Sequence, residues 1–556
     1  MASGRAPGRR GYHRAFRGFP QAFAPLCHRP YGARQSGCGP RTRAVSRASR
    51  ADETGELLGE SLRLRARLRG GSSIPGRDSL CSGAGQCRSG TCAVGHGLAS
   101  PERRPPHAER RRSGRSPAAD RAQRRPALMF DRIKGSAMPF VVGILGGSRR
   151  IYATALETDL DGVWEKWERS KNLVPPRLVK SGPCQDVVHM GDEANIETLP
   201  AAVWTVGHDP GPYHTSPFVI SRDPETRVPN VGVYRVQVKG PRKTGLMIYP
   251  PRNMNQHIRK NESRGCATEA AIVFGTDPVI GLTAVSPFPY GVDELAAAGG
   301  IRGEPVDVVR CLTVDLEVPA TAEIVVEGKV PFQAREQEGP FGEYAGYMGE
   351  GGIHPVFEVN CITHRRNPIY QAFMSQMPPS ESSCIKSFGR EMEVRRHLKN
   401  NLGLPVHDVC ITESSGATAM LLISMRKQNR FQPLKAMMGA WSLAIGVGKI
   451  TIVMDEDIDI RDPFQVEWAL SFRMQPAEDI HIVRNTDPMA LDPSQPLKDG
   501  KKLPPTEQVS SKIGIDATRK FPYPPPSVPP REHLERVAAN WAHYGIREVP
   551  QPRTET

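Results

Sequence analysis

Two glutamates flank a Gly-Pro pair in the segment Glu338-Gly-Pro-Phe-Gly-Glu343, which constrains the chain more than any other short segment. Glycine and proline together exclude a regular helix here, so both carboxylates must stand on an ordered loop. A loop that holds two acids close together pushes their pKa values apart, and one acid then donates a proton near neutral pH. The segment therefore predicts acid–base chemistry on a loop.

A second polar cluster lies upstream, in Asn230-Val-Gly-Val-Tyr-Arg235, in Gln256-His257-Ile-Arg259 and at Glu294. Asparagine, histidine and glutamate side chains together suit a hard divalent cation, and an arginine pairs with a carboxylate or a phosphate. Taken singly, each residue has a plainer interpretation: a structural hydrogen-bonding histidine, and a glutamate that complements a helix dipole. Together they indicate an enzyme that handles a carboxylate next to a metal-bound phosphate.

The positive charge of the chain belongs to its N-terminal quarter. Residues 1–130 hold 26 Arg, no Lys and eight Asp or Glu, for a net charge of +18. Residues 131–556 carry 48 Lys and Arg against 51 Asp and Glu, for a net charge of −3. Nothing in this larger part argues for a nucleic-acid partner. The total of 556 residues allows two to four domains.

Cysteine usage and hydropathy indicate a cytoplasmic protein. Five cysteines fall in the N-terminal quarter, and the other six are scattered without CxxC spacing. We expect those six to be reduced and mostly buried, as is typical of the cytosol. No run of eighteen apolar residues occurs, which predicts no membrane-spanning helix.

Residues 1–126 have a composition that predicts disorder, rich in Arg, Gly, Pro, Ser and Ala and poor in periodic apolar residues. Three interpretations stay open. A wrongly assigned start or an upstream frame error is favoured, an organelle-targeting peptide of this length is unusual, and a nucleic-acid-binding tail is the weakest.

From residue 127 onward the pattern is that of a folded protein. Runs rich in Val and Ile predict a β-rich middle region with strands at 231–238, 271–274, 323–330 and 356–362. Later segments alternate, with helices predicted at 391–402, 431–445 and 463–474, a buried strand at 449–454, and a last helix near 532–543. This alternation indicates an α/β region with a partly parallel sheet.

The strand predicted at 231–238 contains a shift in its apolar pattern between Val233 and Val236, which predicts a β-bulge that re-aims Arg235. Lys449 begins the later buried strand and reaches either a phosphate, a substrate carboxylate or only solvent. The acids that end this strand (Asp455, Glu456, Asp457 and Asp459) either form a solvated loop, which is favoured, or hold a cation.

The motifs in this order resemble the UbiD-like family of prenylated-flavin decarboxylases, over residues 127 to about 520. The matching segments are Asn230-Val-Gly-Val-Tyr-Arg235, Gln256-His257-Ile-Arg259, Val318-Pro-Ala-Thr-Ala-Glu-Ile-Val-Val-Glu-Gly328, Glu338-Gly-Pro-Phe-Gly-Glu-Tyr344, Lys449-Ile-Thr-Ile-Val-Met-Asp-Glu-Asp-Ile-Asp459 and Gly514-Ile-Asp-Ala-Thr-Arg-Lys520.

The resemblance implies an α/β (overall α+β) fold in which a β-rich split-barrel flavin-binding domain precedes an α/β domain used for oligomerisation. The domain boundaries expected are 127–375 for the flavin domain, 376–500 for the α/β domain and 501–556 for a Pro-rich tail with a terminal helix.

The resemblance also implies roles for single residues. The expected catalytic network is formed by Arg235, Glu338 and Glu343. The expected ligands of a divalent ion, Mn²⁺ or Mg²⁺, that tethers the flavin phosphate are Asn230, His257 and Glu294. A K⁺ ion is expected near the backbone carbonyls of Ala284, Val285 and Ser286. Further contacts to the cofactor are expected from Gly232, Val233, Tyr234, Gln256 and Lys449.

The implied reaction is the reversible, non-oxidative decarboxylation of an aromatic, heteroaromatic or α,β-unsaturated acid with prenylated FMN. In it Arg235 orients the substrate carboxylate, Glu343 delivers a proton, and Glu338 tunes the network. A flavin prenyltransferase is the expected cofactor supplier, and a homodimer or homohexamer the expected assembly. A non-catalytic paralogue or scaffold subunit is the alternative.

Overall fold

The computed structural model describes residues 127–146, 149–250, 252–443, 446–489, 491–495, 497–498, 501–503 and 507–545. The predicted N-terminal segment 1–126 lies outside these residues, and its three interpretations stay predictions.

Runs of Val, Ile and Ala form an open, antiparallel sheet of ten strands. Along Thr268–Phe274, Ala271 and Val273 face one side while Ala270, Ile272 and Phe274 face the other, which is the two-residue period of a pleated strand. Eight of the ten strands are successive neighbours, and we call this series the main path. In spatial order it consists of Tyr213–His214, Val236–Gly240, Lys243–Leu246, Gly352–His364, Ile324–Val330, Thr268–Phe274, Phe218–Arg222 and Pro229–Val233. The strands Val187–Met190 and Arg335–Glu338 pair with Gly352–His364 at either end.

Both faces of this sheet are buried, and each face carries its own core. On one face, Phe218, Ile220 and Val325 pack against Trp167 and Phe388 from helices. The opposite face packs a second set of side chains, among them Val219, Leu246, Ile272, Phe357 and Tyr370. The main path ends at two unjoined edge strands, so the barrel is split rather than closed, and the predicted mixed α/β (α+β) class is confirmed.

The segment that carries Arg235 is interrupted, and the single bulged strand predicted at 231–238 is wrong. One strand ends at Val233 and the next begins at Val236, and the two pair with different neighbours in the sheet. Tyr234 and Arg235 lie in the break between them. The shift in the apolar pattern thus marks the change from one strand to the next. Because Arg235 lies between the strands, the alternation of a pleated strand does not set the direction of its side chain.

Helices cover the sheet and join it to the C-terminal region. The helix Glu294–Arg302 shows why these segments are helical: Asp293 caps its first turn by accepting from the Leu295 amide at 2.8 Å, and Gly303 ends it with φ 85°. The α-helices are Arg149–Ala155, Val163–Glu168, Asn253–Glu262, Pro278–Ala284, Glu294–Arg302, Glu381–Arg396, Gln432–Trp441, Pro463–Arg473, Pro476–Asp479 and Arg531–Ala539.

One helix begins ten residues before its predicted start. The sequence predicts a helix over 391–402, whereas the structure has an α-helix at Glu381–Arg396 followed by a π-turn at His397–Asn401. The first turns of this helix carry polar residues that interrupt the helical period of the apolar residues. Ser380 caps these turns by accepting from the Ser383 amide. The early start brings Lys386 and Arg390 into the fold as helical side chains.

The C-terminal sheet has five strands and a partly parallel order, as the alternation of helices and strands predicted. Met420–Met425, Ile450–Asp455 and Ser510–Ala517 are parallel neighbours. Val406–Ile411 and Ile480–Thr486 close the two edges antiparallel. The strand Ser510–Ala517 lies inside this sheet, so a boundary at residue 500 would divide it.

The remaining strands form small sheets, and the short helices are single turns. The strands are Leu128–Phe130, Phe140–Val142 and Tyr370–Gln371; Arg177–Leu178, Asp307–Arg310 and Glu317–Pro319; Phe341–Gly342 and Met348–Gly349; Leu497–Lys498 and Lys501–Lys502. The 3₁₀ turns are Arg169–Lys171, Pro183–Gln185, Gly191–Glu193, Ile196–Thr198, Glu413–Ser415 and Trp541–Tyr544.

Two further predictions concern cysteines and membranes. The six cysteines of the described ranges form no disulfide, and four of them are buried, as expected. Across the same ranges no helix has the length and apolar character needed to cross a bilayer.

Candidate active site

The loop predicted to carry two acids is closed by Arg235. The guanidinium meets Glu338 with two parallel hydrogen bonds, Nε to Oε1 at 2.8 Å and Nη2 to Oε2 at 2.8 Å. Its third nitrogen, Nη1, donates to Glu343 Oε1. Residues that lie 103 and 108 positions apart in sequence therefore form one charged network. This two-pronged geometry is one that lysine cannot reproduce.

The turn of the loop and the break in the strand create this geometry together. Glu338 ends the strand Arg335–Glu338, and Phe341 begins the next. Between them Gly339 has φ 81°, and a Cβ atom there would lie 3.2 Å from Arg235 Nη2 and 2.9 Å from the Gly351 Cα. Glycine is therefore required both for the backbone conformation and for the close approach of the guanidinium.

The two glutamates of the network differ in their surroundings. The Glu338 side chain has no exposed surface, whereas 16% of the Glu343 side chain is exposed. Burial raises the pKa of Glu343 above its ordinary value, although Arg235 opposes this shift. For Arg235, burial disfavours the charged form, but Glu338 and Glu343 hold its pKa well above the usual range. The site thus pairs an arginine that stays charged with Glu343, a carboxyl group whose raised pKa favours the protonated form.

Two aromatic rings flank the guanidinium. The Arg235 Cζ atom lies 5.0 Å from the centroid of the Phe341 ring and 6.0 Å from that of Tyr213. Both rings are buried and in contact, with centroids 4.5 Å apart. The rings keep water away from the arginine and favour its charge through their π faces.

Two of the three predicted metal ligands share a cavity, and the third is held against the neighbouring backbone. The Val231 amide donates to Glu294 Oε2 at 2.8 Å, which fixes Glu294 next to the residue that follows Asn230. Asn230 and His257 line one cavity, together with Asp223, Asn253 and Tyr290. All three side chains are at most 5% exposed.

The chemistry of these three side chains fits a divalent cation. Ser221 Oγ lies 2.9 Å from His257 Nδ1, an outer contact that orients the ring and leaves Nε2 for a ligand. Burial lowers the pKa of His257 to about 4, which keeps the ring neutral, as metal binding requires. Burial raises the pKa of Glu294 to about 8, as expected for a buried carboxyl group without a cation. Asn230 Oδ1, the amide atom that can bind a cation, accepts from Asn253 Nδ2 at 2.8 Å, so a bound cation would take the place of this hydrogen bond.

Clusters of three or more His, Cys, Asp or Glu side chains suited to a metal do not occur among the described residues. The predicted trio contains an asparagine, so it does not depend on such a cluster.

The other predicted cofactor contacts on this side surround the same strand end. Gly232 is buried, and a Cβ atom on it would lie 2.8 Å from the Tyr234 ring. Val233 is half-buried, Tyr234 is buried, and Gln256 precedes His257 on the helix Asn253–Glu262.

The predicted potassium site lies where the helix Pro278–Ala284 ends. Ala284, Val285 and Ser286 are half-buried there. The Ser286 carbonyl accepts from the Phe288 amide at 2.9 Å, and its hydroxyl donates to the Leu282 carbonyl. The structure holds this turn in place, and its role in binding an ion stays a prediction.

Lys449, a predicted contact to the cofactor, already has a charged partner in the structure. Its ammonium lies 2.7 Å from Asp492 Oδ2 and 2.6 Å from Ser494 Oγ. It also lines a second cavity with Asp487 and Lys512. A phosphate would share the ammonium group with Asp492 or replace it.

Four side chains near the network were not singled out from the sequence: Tyr249, Tyr344, Lys386 and Arg390. Burial raises the pKa of both tyrosines, and the nearby Glu343 carboxylate raises it further. Burial lowers the pKa of Lys386, and Glu343 opposes that shift. A usable signal existed for Lys386 and Arg390. They are two cations four residues apart on a helix whose neighbouring positions, such as Phe388, are apolar.

Comparison with known proteins gives two family matches in tandem. The 3-octaprenyl-4-hydroxybenzoate carboxy-lyase Rift-related domain matches residues 177–378. The C-terminal domain of the same carboxy-lyases matches residues 383–517. The first match contains the Arg235 network and the predicted metal ligands, and the second contains Lys386, Arg390 and Lys449.

Relatives and solved structures agree with these matches. An uncharacterized protein of Synechocystis sp., sll0936, is 30% identical over 76% of this chain and 89% of its own length. The UbiD-class enzyme HmfF from Pelotomaculum thermopropionicum, solved in complex with FMN, is 34% identical with a TM-score of 0.67, covering 75% of this chain and 92% of HmfF. An evolved dimeric form of HmfF was solved in complex with prFMN.

Two further structures are of aromatic-acid decarboxylases. Apo Klebsiella pneumoniae 3,4-dihydroxybenzoic acid decarboxylase is 26% identical with a TM-score of 0.66, covering 74% of this chain and 89% of that one. Sedimentibacter hydroxybenzoicus vanillic acid decarboxylase is 27% identical with a TM-score of 0.65, covering 77% and 92%.

The fold, the Arg235 network and these matches define a flavin-dependent decarboxylase. The chain belongs to the UbiD family of carboxy-lyases.

Proposed function

We propose that this protein decarboxylates an aromatic, heteroaromatic or α,β-unsaturated carboxylic acid, reversibly and without net oxidation, using prenylated FMN. The observation that carries the proposal is the contact of one arginine, Arg235, with both Glu338 and Glu343. The three members of the network are the three that the reaction needs.

Arg235 orients the substrate carboxylate. Its guanidinium is 10% exposed, and the rings of Phe341 and Tyr213 lie against it. A charge in such a water-poor setting attracts a carboxylate more strongly than it would in solution. Glu338 occupies Nε and Nη2, so the edge that contacts Glu343 is the part of the arginine that can exchange partners.

Glu343 supplies the proton. The bond between the ring or alkene carbon and the carboxylate breaks, CO₂ leaves, and the carbon takes a proton from Glu343. Burial raises the pKa of Glu343 above its ordinary value, and this shift favours the protonated form that donates. When bound, prenylated FMN supplies the electron sink for the pair left on carbon.

Asn230, His257 and Glu294 hold the divalent ion, Mn²⁺ or Mg²⁺, that tethers the flavin phosphate. A buried carboxyl, a neutral imidazole and a buried amide are the supporting observations. The remaining contacts to the flavin come from Gly232, Val233, Tyr234 and Gln256. The carbonyls from Ala284 to Ser286 hold K⁺, and Lys449 contacts the cofactor.

A flavin prenyltransferase supplies the cofactor, and the C-terminal α/β domain assembles the protein into a homodimer or homohexamer. The flavin domain begins near residue 127, and the α/β domain extends to Ala517, the end of the strand that lies within its sheet. The similar protein HmfF has an evolved dimeric form, which supports assembly of such chains into oligomers.

The test is to co-express the full chain with a flavin prenyltransferase and purify it with Mn²⁺ and K⁺. Absorbance and the mass of the released cofactor report prenylated FMN, and CO₂ release reports turnover of aromatic, heteroaromatic and cinnamic-type acids. Bound cofactor with turnover is expected. A folded protein that takes up no flavin would overturn the proposal and favour the alternative, a non-catalytic scaffold subunit.

A further inference from the structure

A buried carboxylate outside the predicted trio of metal ligands lines the same cavity as Asn230 and His257. This residue, Asp223, is 1% exposed and lies at the start of the turn that joins two strands of the large sheet. Those strands carry Ser221 and Asn230, which are direct cross-strand neighbours. Asp223 is therefore close to two of the proposed ligands without being one of them.

The turn and the helix Asn253–Glu262 meet through two polar contacts at matching intervals. Ser221 Oγ lies 2.9 Å from His257 Nδ1, and Asp223 Oδ2 accepts from Lys260 Nζ at 2.7 Å. Residues two apart on an extended chain share a face, and so do residues three apart on a helix. The ion pair of Asp223 with Lys260 therefore lies beside the contact that orients the imidazole ring.

The Asp223 carboxylate is charged and held by several bonds. Its Oδ1 atom accepts from the Glu225 amide at 2.8 Å and from the Thr226 amide at 3.3 Å. Its Oδ2 atom accepts from Lys260 and from the Tyr290 hydroxyl. Burial opposes ionisation, but these hydrogen bonds hold the pKa of Asp223 well below its usual range. The carboxylate thus keeps its place and its charge by more than its bond to Lys260.

Lys260 has a second acidic partner that is more exposed. Its ammonium lies 2.9 Å from Glu225 Oε2, and the Glu225 side chain is 51% exposed, against 2% for Asp223. The Lys260 ammonium therefore balances the buried charge of Asp223 when no other cation is near. Glu225 can retain the ammonium when another cation takes over that role.

We propose that Asp223 is a positioning residue of the divalent-ion site, whose charge strengthens binding of the ion, and that Lys260 is a counter-charge that weakens it. The inference rests on the proposed function, because the ion is the one assigned to Asn230, His257 and Glu294. Asp223 stays outside the ligand set, since both of its oxygens already accept hydrogen bonds. A carboxylate just outside a set of ligands raises their affinity for the metal.

The two charges act on a cation with opposite signs. Burial lowers the pKa of the His257 ring most; of the two charges, Asp223 raises that pKa and Lys260 lowers it. A divalent ion at the same ring carries twice the charge of a proton, so the same two charges act on it more strongly. An ion pair that only joined the helix to the turn would behave differently, because loss of either partner would loosen His257 and weaken metal binding.

The experiment titrates the full chain with Mn²⁺, without and with FMN, and follows the free ion by electron paramagnetic resonance. The variants are Asp223→Asn, which keeps an acceptor oxygen for the amides, Lys260→Met, which removes the ammonium, and the two substitutions together. Arg227→Met and Asp315→Asn are the controls. They remove an ion pair at the same turn whose side chains are 58% and 64% exposed.

Asp223→Asn is expected to weaken Mn²⁺ binding about tenfold or more. Lys260→Met is expected to strengthen it about threefold or more, and the double variant should lie between the two single variants. The controls should stay within about twofold of the wild-type protein. Unchanged or weaker binding in Lys260→Met would overturn the proposal, as would a double variant that binds more weakly than both single variants. Lys260→Met decides the matter even where Asp223→Asn folds poorly.

The same titration separates this inference from the proposed function. Protein that shows the two opposite shifts but takes up no flavin fails the proposed function and supports the inference. Protein that decarboxylates a substrate, and whose Mn²⁺ affinity both single substitutions weaken, supports the proposed function and overturns the inference. Absence of Mn²⁺ binding by the wild-type protein, with and without FMN, would also overturn the inference.

Discussion

Arg235 and Glu338 form a buried, two-pronged ion pair, with both N–O distances at 2.8 Å and no exposed surface on the Glu338 side chain. Because two bonds fix the plane of the guanidinium, the nitrogen that remains is aimed at Glu343. The pair is thus the rigid part of the site, and Glu343 is the part that exchanges partners.

Replacing Glu338 by Gln is expected to lower kcat by about a hundredfold or more, since Arg235 loses the anion that orients it. It should also lower the free energy of unfolding by about 3 kcal/mol, because a buried guanidinium loses its carboxylate. Steady-state kinetics and urea denaturation measure the two effects. Glu336→Gln is the matched control: it lies two residues earlier on the same strand, is 40% exposed, and should change neither quantity appreciably.

The pH dependence of turnover should follow Glu343. Its pKa is raised by burial, and the protonated form is the donor, so kcat should fall as pH rises through that raised value. The same shift affects stability: a carboxyl group whose pKa is higher when folded stabilises the fold at low pH, and this contribution is lost as pH rises through the folded pKa. A kcat profile that stays flat through the pH range in which the protein remains folded would contradict the assignment.

Loss of the divalent ion should release the flavin. Glu294→Gln removes the charged ligand while keeping the hydrogen bond from the Val231 amide, and we expect at least about a tenfold loss of Mn²⁺ affinity. Metal analysis and flavin absorbance after gel filtration measure the result, and chelator treatment of the wild-type protein should reproduce it. Glu304→Gln, just beyond the same helix, should retain both metal and flavin.

A glycine pair tests how the C-terminal region seats against the active-site loop. Gly416 and Gly403 both have positive φ, 62° and 64°. A Cβ atom on Gly416 would lie 2.4 Å from the Tyr344 carbonyl oxygen, whereas one on Gly403 meets nothing within 4 Å. Gly403→Ala should cost about 1–2 kcal/mol of stability for its backbone conformation alone. Gly416→Ala should cost more and also weaken flavin retention; equal effects of the two substitutions would contradict this contact.

Much of the architecture could be predicted from the sequence because burial leaves a clear pattern. The apolar runs at 270–274 and 324–326 mark the strand Thr268–Phe274 and its partner Ile324–Val330, and both strands were predicted within a few residues. The break at Tyr234 was misread as a bulge, since a change of strand and a bulge shift the apolar phase in the same way. Its cause is a change of pairing partner, which lies outside the segment itself.

The site was harder to predict than the fold, because its members are joined only in space. No spacing rule connects Arg235 to Glu338 across 103 residues, and only the family resemblance brought them together. Lys449 could be located from the sequence, but its partner could not. A lysine at the start of a buried strand does not reveal that Asp492 will pair with it. Lys386 was missed because the polar residues around Glu381 concealed the helix that carries it.

The most direct measurement of the central claim compares CO₂ release by wild-type protein and Glu343→Gln, both loaded with prenylated FMN and matched for flavin content. The account predicts turnover of at least one aromatic or unsaturated acid by the wild-type protein, and loss of at least about a thousandfold in the variant with its flavin retained. Equal turnover by the two proteins would contradict the assignment of Glu343 as the proton donor.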